Sequence, residues 1–198
     1  YTRGWSKGLA EGSWMAVAPS EAFEFPPFYN LPPFFTLQPN AAVRAKQLGL
    51  WRNLVESYCE IKRIFFLDVT AAGKHDLFRN ETLQRQLTSE GLKALSDHLV
   101  AEGIAAWTDD THQRLLLFWK PAAEWGDLLL AWAEDRGRIG SVETVMALTS
   151  GDDTEGQEFH GVPHEIAIAA LQDLERRGCA KIFRGHTTSQ DGVKFLRA

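Results

Sequence analysis

SEGLKALSDHLVAEGIAAWTDDTHQRLLLFW, residues 89–119, holds a helix, its stop signal and a hairpin in one run. Leu92, Leu95, Leu99 and Val100 recur at three and four residues, so they share one face of a helix. Ser89 is its expected N-cap, and Gly103 supplies the left-handed residue that ends it. The apolar runs 104–108 and 115–119 then read as strands on either side of the polar turn 109–113. The same order returns downstream. A helix starting near Pro163 carries Ala167, Ala170, Leu171 and Leu174 on one face and stops at Gly178. Strand-like runs 180–184 and 193–196 follow, around the turn residues 185–192.

Working outward, each unit gains earlier helices. Leu48, Trp51, Val55 and Tyr58 form an apolar stripe on a helix that Asn40 can cap. Residues 64–69 read as a strand or as the end of that helix. Leu77, Phe78 and residues 83–87 read as a short second helix. In the later unit, Pro121 opens a helix with Trp125, Leu128, Leu129 and Trp132 on one stripe. A short helix is expected at 142–148, after the Gly-Arg-rich break at 136–140. Helix, helix, helix, hairpin therefore occurs twice, which is the layout of tandem winged-helix domains. The expected class is α+β, mainly helical, with two winged-helix domains at 40–120 and 121–198. Cores this small call for the two domains to pack on each other, across residues 119–132.

The segment before them, 23–39, is of another kind. Six of the eight prolines lie between Pro19 and Pro39, which rules out an ordinary helix or a central strand. It carries two motifs, Pro26-Pro27-Phe28-Tyr29 and Pro32-Pro33-Phe34-Phe35. Paired prolines favour an extended polyproline II helix. At three residues per turn, both motifs would then share a face, about 19 Å apart at about 3.1 Å per residue. So much aromatic surface is too apolar for a solvated linker, and a docking role is expected for Pro26, Pro27, Phe28, Tyr29, Pro32, Pro33, Phe34 and Phe35. The competing expectation is that the segment folds back on its own domain.

Residues 1–22 show no periodicity and no signal-peptide layout, so an unstructured leader is expected there. Met15 is read as the natural start, with the earlier residues an expression leftover. A hydrophobic content of 44% with 24% charged residues describes a globular chain, and no apolar run approaches the roughly 18 residues that span a bilayer. Cys59 and Cys179 form no C-x-x-C pair, which suits a reducing compartment and argues against a disulfide scaffold or zinc ribbon.

The formal net charge of −5 gives no general attraction to nucleic acid or anionic lipid. A DNA-reading third helix needs Lys and Arg. The helix from Ser89 instead carries Glu90, Asp97 and Glu102 against Lys93. The one near Pro163 has Glu165, Asp173 and Glu175, with Arg176 and Arg177 only at its end. His160 and His164 stand four apart, but Gly161 and Pro163 break the helix that would aim both at one metal. The acids of 152–158 lack the glycine and glutamate of a calcium loop. No phosphate-cradling loop or nucleophile elbow is present, and Cys59 sits beside an apolar stripe. Neither catalytic residues nor a metal or cofactor are expected.

Several segments together resemble one family. Residues 25–40, with both proline motifs, are similar to the N-terminus of the smallest subunit of the ESCRT-II endosomal sorting complex. So are Leu77-Phe78-Arg79-Asn80 with Leu83-Gln84-Arg85, the triplet Glu124-Trp125-Gly126, residues 148–161 and the closing Gly192-Val193-Lys194-Phe195. The resemblance spans about residues 25–196, with the connection 64–75 poorly matched. It implies two tandem winged-helix domains and no catalysis. It implies partners as well. The N-terminal motifs would dock into apolar pockets of two larger winged-helix subunits, and the second domain would contact an ESCRT-III subunit. The implied role is the sorting of ubiquitinated cargo into multivesicular bodies by a cytoplasmic protein recruited peripherally to endosomal membranes, with no nucleic acid bound and no direct membrane insertion. Two other functions fit parts of the chain. Pro26-Pro27-Phe28-Tyr29 matches the P-P-x-Y pattern read by WW domains, and a winged helix can bind DNA.

Overall fold

A computed structural model describes residues 23–71 and 75–197. The expectations for the leader 1–22 therefore lie outside the described residues.

Helix α1 (Ala41–Lys62) starts where Asn40 accepts from the backbone N–H groups of Ala42 and Val43. Its inner face is Trp51, Leu54, Val55, Tyr58 and Cys59. It ends at Arg63, whose φ of 53° places a non-glycine residue in the left-handed region. Helix α2 (Ser89–Ala101) buries Leu92, Leu95 and Leu99 as the spacing predicts. Its cap lies one residue earlier than expected, at Thr88, whose Oγ1 accepts from the Gly91 N–H at 3.1 Å. Strands β1 (Phe66–Asp68), β4 (Ala105–Trp107) and β5 (Arg114–Leu117) form an antiparallel sheet in the order β1-β5-β4.

The expected second helix at 77–87 is absent. A single 3-10 turn, Asp76–Phe78, leads into a hairpin of β2 (Arg79–Asn80) and β3 (Arg85–Gln86). Asn80 forms this turn locally, accepting from the Leu83 N–H at 3.0 Å, and Gln84 takes a φ of 51°. Leu77, Phe78 and Leu87 still reach the core, but from a turn and a strand end rather than from one helical face.

The later half repeats the plan. Helix α3 (Ala122–Asp135) follows Pro121, α4 (Val145–Ser150) is one short helix, and α5 (His164–Arg176) runs against α3. Residues 142–144 form strand β6 (Val142–Thr144) rather than the start of a helix. Two β-branched residues two apart suit a strand, and Thr144 then caps α4 by accepting from the Ala147 N–H. With β7 (Ala180–Phe183) and β8 (Gly192–Phe195) the sheet order is β6-β8-β7. In both sheets the last strand lies in the middle, and all pairings are antiparallel. Each half is thus a winged helix.

Aromatic side chains join the halves. Phe65 lies tilted against Trp119 with centroids 5.0 Å apart, Trp119 meets Trp125 edge to face at 5.3 Å, and the Trp119 indole donates to the carbonyl of Ile64. Arg63 donates to the carbonyls of Glu158 and His160, each at 2.9 Å, and Lys120 pairs with Glu158.

In the wing of the later half, buried Asp191 accepts from the Gly185 N–H, Arg184 and His164. The Gly185 N–H above all, then the Arg184 guanidinium, hold its carboxyl below the ordinary range. A carboxylate with a depressed folded pKa adds stability that is present above its unfolded pKa and lost as pH falls through the folded value. Acid titration of Asp191→Asn should therefore show a shallower fall in stability below about pH 4 than the parent chain. An unchanged acid limb would mean that Asp191 carries none of it.

Candidate docking surface

The proline-aromatic segment does not run as polyproline II. It makes two consecutive 3-10 turns, Pro27–Asn30 and Pro32–Phe35, which share Leu31 as the joint. The physical reason lies in what the aromatic rings find beneath them. Phe34 stacks on Trp51 of α1 with centroids 4.3 Å apart, Phe35 meets the edge of the same indole at 5.7 Å, and Phe25 stacks on Tyr29 at 4.0 Å. Only a turned backbone can bring rings one and five residues apart onto a single tryptophan and its surroundings.

Polar side chains fasten the turns. Trp51 Nε1 donates to the Phe34 carbonyl at 3.0 Å, and Gln47 donates to the carbonyls of Phe34 and Thr36, each at 2.9 Å. Asn80 Nδ2 reaches across to the Tyr29 carbonyl at 3.1 Å. The Tyr29 hydroxyl lies within donating distance of the carbonyls of Asp76 (2.8 Å) and Arg79 (2.9 Å). The carbonyls of Tyr29, Phe34 and Thr36 thus gain donors from the body of the first half.

The eight residues expected to dock therefore divide. Tyr29, Phe34 and Phe35 are 4%, 6% and 1% exposed, packed on this chain's own first half as the fold-back expectation has it. Their rings complete this chain's own core. Pro26, Pro27, Phe28, Pro32 and Pro33 remain partly or fully accessible. Phe28, Leu31 and Pro33 line an apolar cleft of about 330 Å³ together with Val43 and Leu50 of α1. Leu31, Val43 and Leu50 are among the exposed large apolar side chains of the described residues. Leu31, Val43 and Leu50 carried no sequence signal of their own. An apolar residue on the outer side of an amphipathic helix, as at Val43 and Leu50, was the only trace.

Tyr29 also bears on the WW alternative. The tyrosine that a P-P-x-Y groove would grip points inward here, with its hydroxyl spoken for. Burial pushes its phenol up to about 12, with the Asp76 carboxylate adding to the shift. Such a group stabilises the fold fully below its unfolded pKa near 10, and that contribution disappears as pH rises to 12. Tyr29→Phe should cost about 1 kcal/mol at neutral pH by leaving carbonyls without a donor. It should also blunt the alkaline loss of stability, read by denaturant titration at several pH values.

The other sequence candidates do not converge. His160 Nδ1 lies 3.0 Å from Thr154 Oγ1, whereas His164 Nε2 lies 3.1 Å from Asp191. Cys59 is 1% exposed, and burial pushes its thiol up to about 12. Of the acids in 152–158, Asp153 pairs with Arg138 and Glu158 with Lys120, so the loop is less open in charge than its composition suggested. No helix among the described residues is long and apolar enough to cross a membrane.

Comparison with known proteins adds the family. A family model described as ESCRT-II complex subunit matches residues 23–163. The chain is 40% identical over 177 residues to vacuolar protein-sorting-associated protein 25 of Danio rerio, covering 88% of this chain and 99% of that one. The protein of the same name from Arabidopsis thaliana is 36% identical, with 87% and 96% covered. Among solved structures, subunit VPS25 of the endosomal trafficking complex ESCRT-II superposes with a TM-score of 0.74 at 27% identity, covering 86% and 98% of the two chains. A chain in the ESCRT-II complex of VPS22, VPS25 and VPS36 gives 0.71 at 29% identity over the same shares. With the winged-helix halves and the turned proline-aromatic segment in place, the chain belongs to the ESCRT-II complex subunit family.

Proposed function

We propose that this chain is a non-catalytic subunit of an ESCRT-II complex, held to the two larger subunits by its proline-aromatic face. The observation that carries the reading is the apolar cleft of Phe28, Leu31 and Pro33 against Val43 and Leu50, open on a chain whose net charge is −5. Exposed, contiguous apolar surface of this kind is a protein-docking feature. In this reading Pro26, Pro27, Phe28, Pro32 and Pro33 touch the partner, while Tyr29, Phe34 and Phe35 hold them in shape from below. The solved complex of VPS22, VPS25 and VPS36 supports the choice of partners.

The test is co-expression with the two larger subunits, followed by mass measurement and calorimetry. Phe28→Ala with Leu31→Ala should weaken assembly by about 2 kcal/mol or more, since buried aromatic and aliphatic anchors dominate such contacts. Unchanged affinity in that double variant would remove the docking reading.

The division into a docking segment at 23–39 and winged-helix domains at 40–120 and 121–198 belongs to the same proposal. So does the second domain's role of engaging an ESCRT-III subunit, and with it cytoplasmic location and peripheral recruitment to endosomes. The family resemblance supports these, and so does the acidic character of 152–158. A DNA-binding role has less behind it, because α2 shows Glu90, Asp97 and Glu102, and its Lys93 is taken up by Asp97 at 2.7 Å.

A further inference from the structure

The apolar cleft has one wall on the proline-aromatic segment, at Phe28, Leu31 and Pro33, and the other on α1, at Val43, Gln47 and Leu50. Gln47 is 6% exposed, and both ends of its carboxamide bond across to the segment. Nε2 donates to the carbonyls of Phe34 and Thr36, each at 2.9 Å, and stands 3.3 Å from that of Pro33. Oε1 accepts from the Gln38 N–H at 3.1 Å. That bond fixes which end of the amide is which, because a backbone N–H can only donate. Gln38 completes the arrangement from the segment's side, its own Nε2 donating to the carbonyls of Pro33 (3.0 Å) and Thr36 (2.8 Å). Two carboxamides thus clasp residues 33–38 at the point where the wall of the cleft meets α1.

We propose that Gln47 is the positioning residue for docking: its polar atoms are spent within the chain, and it sets the spacing between Leu31, Pro33 and α1 that a partner meets. The inference rests on the docking reading above and adds what makes the cleft ready to bind. Paired prolines are also compatible with an extended path, so the turned form needs fastening. Without Gln47, Trp51 still stacks on Phe34 and bonds its carbonyl, which keeps the segment on α1. What is lost is the hold on Pro33 and Thr36, so the outer wall loosens while the core beneath it stays. A partner must then re-form the cleft as it binds, and its affinity falls by the fraction of chains in which the cleft is open and shaped.

The experiment is calorimetry of the full chain with the two larger subunits, at a temperature where circular dichroism shows every variant fully folded. Gln47→Leu, of similar size and unable to hydrogen-bond, should bind about tenfold more weakly. Leu171→Ala, in the core of the later half, should melt earlier yet bind as the parent does. Gln47→Glu gives a second readout. At about pH 7 its carboxylate only accepts and faces carbonyls, so binding should fall at least as far. Towards about pH 5 the half-buried carboxyl takes up a proton and can donate again, so the deficit relative to the parent should shrink. Parental affinity in Gln47→Leu, an equal loss in Leu171→Ala, or a Gln47→Glu deficit that does not change with pH would each overturn the proposal. Phe28→Ala with Leu31→Ala separates the two levels. Weakened binding there beside parental binding in Gln47→Leu removes this proposal alone, and parental binding in both removes the docking reading with it.

Discussion

Phe35→Ala should lower the unfolding free energy of the chain, with no partner present, by about 3–5 kcal/mol in urea titration. The ring is 1% exposed and packs edge-on to Trp51 and Tyr29, so its removal leaves a void that α1 cannot close without losing the Phe34 stack. Phe28→Ala, on the outer side of the same turns, should cost the free chain less than about 1 kcal/mol. Two aromatic residues of one segment thus separate by what they hold together: one the fold, the other, under the proposed function, the assembly. Equal losses from both would mean that the segment is not seated on α1 as described. A fourfold alanine replacement of Phe28, Tyr29, Phe34 and Phe35 would not test docking at all, because three of its four changes strip the core.

The second large effect is expected at Gly126. Helices α3 and α5 cross closely there, and a Cβ on Gly126 would stand 3.2 Å from the Ala170 carbonyl oxygen and 3.2 Å from Leu174 Cγ. Gly126→Leu should destabilise by about 3 kcal/mol, at the upper end of overpacking costs, because one obstacle is backbone and cannot rotate away. Gly126→Ala pits the same crowding against a helix-propensity gain of about 1 kcal/mol, so it should fall near neutrality. Thermal melts of the two variants check both. A stable leucine variant would show that the two helices can part without cost.

Much of the architecture was legible because its signals are local and periodic. The stripes of α2 and α5 with their glycine stops are visible in four or five residues each, and both hairpins follow from apolar runs around polar turns. The failures have a common cause. At 77–87 four apolar residues suggested a short helix, but the outcome was decided by Asn80, which binds Leu83 locally and the Tyr29 carbonyl from a segment far away in sequence. The proline motifs failed in the same way. Proline geometry permits either polyproline II or 3-10 turns, and the choice was made by Trp51 and Gln47, which no reading of residues 23–39 by themselves could include. The segment was therefore recognisable as apolar and in need of a surface to cover it, while the split between inward and outward residues needed the surface of α1.

Arg63 ends α1 with its guanidinium fixed on two backbone carbonyls of the later half, next to the Phe65, Trp119 and Trp125 cluster. Backbone carbonyls, unlike side chains, cannot swing aside, so the joint resists torsion as well as separation. A joint of this kind favours a lever of set angle over two beads on a string. A partner that gripped the proline-aromatic end would then set the direction in which the far wing points, through Arg63, the aromatic cluster and the Lys120–Glu158 pair together.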